Sequence, residues 1–147
     1  MLMTSFKNSL TLVGRKFSVA NYQPKGFNYP ELGWAKPYDA AGKWVKPSNF
    51  NGNLNMYLDA LWDLYDSRAT EIEMWIPTAL RSDILCCWCP YSRPAQRQLE
   101  RFGSFVCHTG VLGEFLVDKF AVPIQYDQDR VEHMVGCISS DYEELKK

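Results

Sequence analysis

Four of the five cysteines, one of the two histidines and three evenly spaced arginines lie between Asp83 and Phe120, in DILCCWCPYSRPAQRQLERFGSFVCHTGVLGEFLVDKF. These residue types support two kinds of chemistry. In the first, a thiolate is a nucleophile and a neighbouring imidazole its base: Cys107 or Cys89 attacks, His108 takes the proton or orients the sulfur, and Glu114 or Asp127 is a supporting acid. In the second, Cys87, Cys89, Cys107 and His108 supply three thiolates and an imidazole, a ligand set suited to zinc. Against zinc, C-x-C is not the usual knuckle spacing, and an adjacent Cys and His do not easily reach one ion. Cys86 and Cys89 form a C-x-x-C, but on an extended strand their side chains point to opposite faces, which disfavours a redox disulfide. Cys86 and Cys137 read as small buried hydrophobes.

Arg93, Arg97 and Arg101 recur every four residues, so on a helix they form one stripe. Such a stripe is most often a solvated face. Beside a helix N-terminus it also suits phosphate or carboxylate, which the guanidinium fork binds bidentately. Tyr22 and Tyr91 offer rings against which a base would stack.

The elements that must position these groups follow from the pattern. Asp83–Cys89 is a short apolar run of central-strand length. Ser92 is an N-cap, Arg93 or Pro94 falls in the first helical turn, and Gly103 closes a short basic helix. A second helix runs from about Cys107 to Phe120, with Val111, Leu112, Phe115 and Leu116 on its apolar face, and AVPIQY, 121–126, reads as the next strand with Asp127 and Asp129 just beyond. Strand, helix and strand in this order imply a crossover and a parallel pairing. In open parallel sheets ligands bind beyond the strand carboxyl ends, where helix N-termini favour anions and lower a thiol's pKa. Cys89, Cys107, His108 and Asp127 should share that edge.

Elsewhere, Leu10–Ala20 reads as the first strand, and Asn53–Leu80 shows helical spacing as one helix or as two breaking near Asp66–Ser67. Residues 21–50 hold four prolines, three glycines and seven aromatic rings, a long loop that either roofs a site or is pinned to the body. Val131–Ile138 is a candidate edge strand and 139–147 a charged tail. The expected fold is one α/β domain over 1–147, a small three-layer Rossmann-like unit with a mainly parallel sheet and a long aromatic-rich loop, its site-bearing core at 83–130.

Composition limits the function classes. Hydrophobic residues make up 46% and charged residues 22%, the balance of a globular domain rather than a disordered chain. Sixteen basic against seventeen acidic residues give a net charge of −1, so any phosphate recognition must be local. Lys7, Asn8 and Ser9 interrupt the N-terminal apolar run before it resembles a secretory signal, and no run approaches a membrane span. The odd, clustered cysteines do not make a secreted disulfide framework, so a reduced cytoplasmic setting is expected.

The segments CCWCPYSRPAQRQL and FVCHTGVLGEFL, preceded by SVANYQPKGFNYPEL, resemble the bacterial family catalogued as domain of unknown function 488. The resemblance runs from about Phe17 to Met134, and its most specific part is the Cys-His pair opening an apolar helix. It implies a small α/β protein with its site at the cysteine-histidine edge, and supplies no reaction. Thr109 stands where many members carry an arginine, so a phosphate role passes to Arg93 or Arg97, with Thr109 kept among the ligand-facing candidates. The expected function is a small enzyme or ligand-binding domain for an anionic, nucleotide- or nucleic-acid-like ligand. The alternative is an interaction module, zinc-stabilised or simply folded, that binds a protein or a single strand. No cofactor is required by the residues, and zinc is the one they would accommodate.

Overall fold

A computed structural model of the chain describes residues 1–50, 53–103, 105–127 and 134–135. The Asp129, Cys137 and tail assignments lie outside those residues. Four parallel strands form the main sheet in the order β2-β3-β1-β5: β1 is Leu2–Ser5, β2 Lys16–Ser18, β3 Ile84–Cys87 and β5 Gln125–Tyr126. The helices are α1 (Phe6–Ser9), α2 (Leu54–Ser67), α3 (Ala69–Trp75), α4 (Arg93–Phe102) and α5 (His108–Phe120). A second, two-stranded parallel sheet pairs β4 (Phe105–Val106) with β6 (Met134–Val135). The fold is thus the expected small α/β, Rossmann-like unit. Among the described residues no helix is long and apolar enough to cross a membrane.

Alternation along the strands divides the core. Met3, Leu85 and Cys87 face one side, with Leu61 and Tyr65 of α2, Ile72 of α3, Ala95 of α4 and Leu112, Phe115 and Leu116 of α5. Phe115 is fully buried, with Trp62 at 5.1 Å and Tyr65 at 6.2 Å between ring centroids. Burying such a ring contributes about 2–3 kcal/mol. The opposite face carries Ile84 and Cys86, covered by Phe6 and Ala20 with Phe27, Tyr29 and Trp88 packed against them. The third layer is therefore one short helix and part of the aromatic loop.

Two expectations are corrected. The first strand is Leu2–Ser5, not Leu10–Ala20; only Lys16–Ser18 of that segment is strand, and Leu10 and Val13 are exposed. A four-residue strand containing Thr4 and Ser5 has no apolar signature, yet Met3 and Thr4 are wholly buried. The strand is covered on both faces and paired on both edges, the setting of a central parallel strand. Further, β3 and β5 do not pair with each other. β1 lies between them, with Met3 level with both Leu85 and Tyr126.

The helices end where local chemistry dictates. Asn53 caps α2 through the Met56 N–H at 3.1 Å, Ser92 caps α4 through the Ala95 N–H at 3.3 Å, and Gly103 closes α4 in the left-handed region. The 53–80 segment is two helices that part at Arg68. There the guanidinium donates to the carbonyls of Trp34, at 2.9 Å, Lys36 and Tyr38, pinning the long loop to the helical layer.

At the amino edge of the sheet Asp83, with no exposed surface, receives a bidentate pair from Arg15 at 2.8 and 2.7 Å and the Leu80 N–H at 2.8 Å. Burial alone would raise the Asp83 pKa, but these donors outweigh it and hold the carboxyl below its usual value. A depressed carboxyl stabilises the fold above its unfolded pKa and stops doing so as pH falls through the folded value. Asp83→Asn is expected to cost about 2 kcal/mol at pH 7, from hydrogen bonds to a charged group. In urea titrations its deficit against wild type should shrink below about pH 4.

Candidate functional site

Three segments meet at the carboxyl edge of the sheet: the end of β3, the start of α5 and the chain leaving β2. Cys87 is the last residue of β3 and Cys107 is the N-cap of α5; both are buried, and their sulfurs lie 3.7 Å apart. Cys89, in the turn that contains the cis Cys89–Pro90 peptide, places its sulfur 3.5 Å from the Ser92 hydroxyl. The ligand atoms of Cys87, Cys89 and Cys107 all lie within 4.8 Å of one another, close enough to hold a metal ion. Thr109 is buried and donates its hydroxyl to the Cys107 sulfur at 3.2 Å.

His108 stands at the side of this cluster. Its Nε2 is 2.8 Å from the Val19 carbonyl oxygen. A carbonyl can only accept, so Nε2 carries a proton. Nδ1 then faces the Cys107 sulfur at 3.8 Å. In the neutral ring it is an acceptor for a thiol proton. Hydrogen bonding with Cys107 and Cys87, and then burial, hold the Cys89 thiol well above its usual pKa. A raised pKa lowers the thiolate fraction at Cys89, and with it the sulfur's nucleophilicity.

Above the sulfurs opens a cleft of about 880 Å³. Tyr22, Trp44 and Trp88 line one part of it, with Tyr22 at 6.3 Å from Trp44 and 5.6 Å from Trp88, both edge-on. The Trp88 indole N–H donates to the Tyr22 carbonyl at 2.7 Å and so ties loop to turn. Arg93 and Arg97 of α4 and Lys46 of the loop supply the cations, and Cys87, Cys89, Cys107 and His108 the floor.

The structure therefore brings Tyr22, Tyr91, Arg93, Arg97, Cys89, Cys107 and His108 to one cleft, but not all the candidates. Thr109 points inward to sulfur and does not line the cleft, because the first turn of α5 is packed into the core. Arg101, two turns along α4, is exposed and also outside it. Asp127 does lie at the carboxyl edge, but accepts from Thr4 at 2.5 Å and Asn8 at 3.1 Å, away from the cleft lining. Tyr91 bridges the two places, lining the cleft while its hydroxyl reaches Asn8 at 3.4 Å and Lys7 sits 4.5 Å over its ring.

Glu114 is not in the cleft lining either. Burial, and secondarily the charge of Asp118 one turn on, push its carboxyl up to about 7. The position of Glu114 two turns into α5 gives no contact with the sulfurs through which to act as their acid.

Sequence reasoning missed Asn21, Trp44, Trp88 and Lys46. Asn21 and Tyr22 follow β2 closely and so fall at a strand carboxyl end, a signal hidden by the overlong first strand. Both polar atoms of the Asn21 carboxamide are buried with no partner among the described residues. Trp44 comes to the cleft only because the loop folds back through the Tyr38–Trp44 bridge. The remaining loop rings divide: Phe27 and Tyr29 pack on Phe6, and Trp34 on Trp75.

Comparison of the chain with protein-family models, curated proteins and solved structures finds no match. Fold and site define an α/β domain with a sulfur-floored cleft.

The raised Glu114 pKa has a consequence for stability. A carboxyl whose folded pKa exceeds its unfolded value stabilises the fold through its proton at low pH, and that contribution is lost as pH rises to the folded value. Wild type should lose this stability between about pH 4.5 and about pH 7. Glu114→Gln cannot ionise, so its urea midpoint relative to wild type should be higher at the alkaline end of that range than at the acid end. The same variant should leave ligand binding in the cleft unchanged.

Proposed function

We propose that this chain is a small ligand-binding domain, of the type catalogued as domain of unknown function 488, whose cleft takes a nucleotide-like anion against a thiol floor. The observation that supports this reading is the joint lining of one cleft by the rings of Tyr22, Trp44 and Trp88 and the cations Arg93, Arg97 and Lys46. Rings favour a flat heteroaromatic group, and guanidinium forks favour phosphate. In the enzymatic form of the proposal Cys107 is the nucleophile and His108 its base, with the ring held by the Val19 carbonyl. Tryptophan fluorescence titrated with mono- and dinucleotides should show saturable quenching that weakens with salt. Replacing Arg93 and Arg97 together by alanine should weaken binding at least about tenfold, or about 1.4 kcal/mol. Absence of saturation with any nucleotide, alongside saturable binding of a single-stranded oligonucleotide or a protein, would move the function to an interaction module.

A second reading is favoured by the mutual closeness of Cys87, Cys89 and Cys107: the floor is a metal centre, with zinc as its ion. Native mass spectrometry of protein purified reduced and without chelator should then give one zinc per chain, absent from Cys107→Ser. A metal-free wild-type chain that also fails to take up added zinc would reject this second reading and leave the thiol form.

A further inference from the structure

We propose that Cys87, Cys89 and Cys107 form an open three-thiolate site for a soft divalent cation of the zinc class, whose fourth position belongs to an external ligand in the cleft and not to His108. The inference rests on the metal reading above and assigns the kind of centre it is.

A tetrahedral ion about 2.3 Å from each thiolate sets its sulfurs about 3.8 Å apart. Cys87 and Cys107 already span such an edge at 3.7 Å. All three ligand atoms lie within 4.8 Å of one another. Completing the triangle therefore requires Cys89 to move about 1 Å or less. Cys89 is partly buried and sits in the turn after β3, while the other two sulfurs are fixed by β3 and by the start of α5, so it is the ligand able to make that adjustment.

The surroundings fit a charged thiolate set. The Thr109 hydroxyl donates to Cys107, the outer partner a metal-bound sulfur commonly keeps. The N-terminus of the thirteen-residue α5 and the Arg93 and Arg97 guanidinium groups over the cleft offset the net negative charge of three thiolates on a divalent ion. Three sulfurs also select for a soft ion over magnesium or calcium.

His108 is the residue that would close the site. Its ring is tethered through Nε2 to the Val19 carbonyl, and its Nδ1 approaches Cys107 but falls outside the group of mutually close ligand atoms. All three cysteines line the cleft, so the coordination position left over faces the space where a ligand enters. Three protein ligands with a fourth position left for water or substrate is the arrangement of zinc centres that act on ligands, as distinct from closed structural ones.

Cobalt(II) added to the reduced chain tests both parts, since its sulfur charge-transfer intensity counts thiolate ligands and its visible bands report tetrahedral geometry. Wild type should bind one cobalt per chain, displaced by zinc, with Cys89, the least buried of the three, losing reactivity toward a thiol reagent. Cys107→Ser and Cys89→Ser should each lower the charge-transfer intensity by about a third and weaken binding at least about tenfold; Cys86→Ala, changed on the other face of the sheet, should do neither. Cys89→Ser, altered in the turn, serves if Cys107→Ser does not fold. His108→Gln should keep stoichiometry and spectrum, and a small monothiol added to the cobalt form should add a fourth sulfur band. No cobalt bound by wild type would overturn the metal reading and this inference together. Cobalt bound tightly but lost in His108→Gln, with no response to the monothiol, would keep the metal and overturn only the open position.

Discussion

The double pairing of Leu2–Ser5 is the constraint on which the rest of the molecule depends. With β3 on one edge and β5 on the other, this strand sets the register of the sheet. Ser5 comes level with Cys87, and Met3 with both Leu85 and Tyr126. A parallel sheet directs every strand's carboxyl end to one edge, so the register also fixes which loops are neighbours beyond it. The chain after β1 supplies Asn8, which meets Tyr91 from the turn after β3 and Asp127 from beyond β5. Strands too short to hold this geometry separately do so because each is backed by the same helical layer.

The sulfur cluster is a product of that convergence. No single element carries it: Cys87 comes from a strand end, Cys89 from the following turn and Cys107 from a helix start twenty residues after Cys87. Burial of Cys87 and Cys107 follows from the packing of α5 against α2, which draws the first turn of α5 into the core. His108, next in sequence to Cys107, is turned aside because the Val19 carbonyl accepts from its ring. The same packing gives Thr109 to sulfur and leaves the cations to α4 and the loop.

The aromatic loop adopts both of the forms open to it. Arg68 gathers the Trp34, Lys36 and Tyr38 carbonyls, satisfying backbone groups that irregular structure would otherwise leave without partners. With the middle of the loop held, Phe27 and Tyr29 cover one face of the sheet, whereas Tyr22 and Trp44 remain exposed at the cleft. A segment without regular structure thus supplies both core and binding surface. The rings serving each purpose are separated by which side of the sheet they reach.

By itself the sequence determined the elements whose signals are local. The β3 run, the Ser92 and Gly103 caps of α4, the apolar face of α5 and the break near Ser67 are written in neighbouring residues, and they suffice for the α/β class and for a cysteine-histidine edge. Only the tertiary structure decided the place of β1, because a four-residue strand with Thr4 and Ser5 has no periodicity to read and becomes buried solely through its partners. It also decided which candidates meet. Glu114 and Asp127 leave the cleft, Thr109 turns to sulfur, and Asn21, Trp44, Lys46 and Trp88 enter. Spacing along a chain fixes which residues share an element's face, but distances between elements arise from register and packing, which single-residue patterns do not encode.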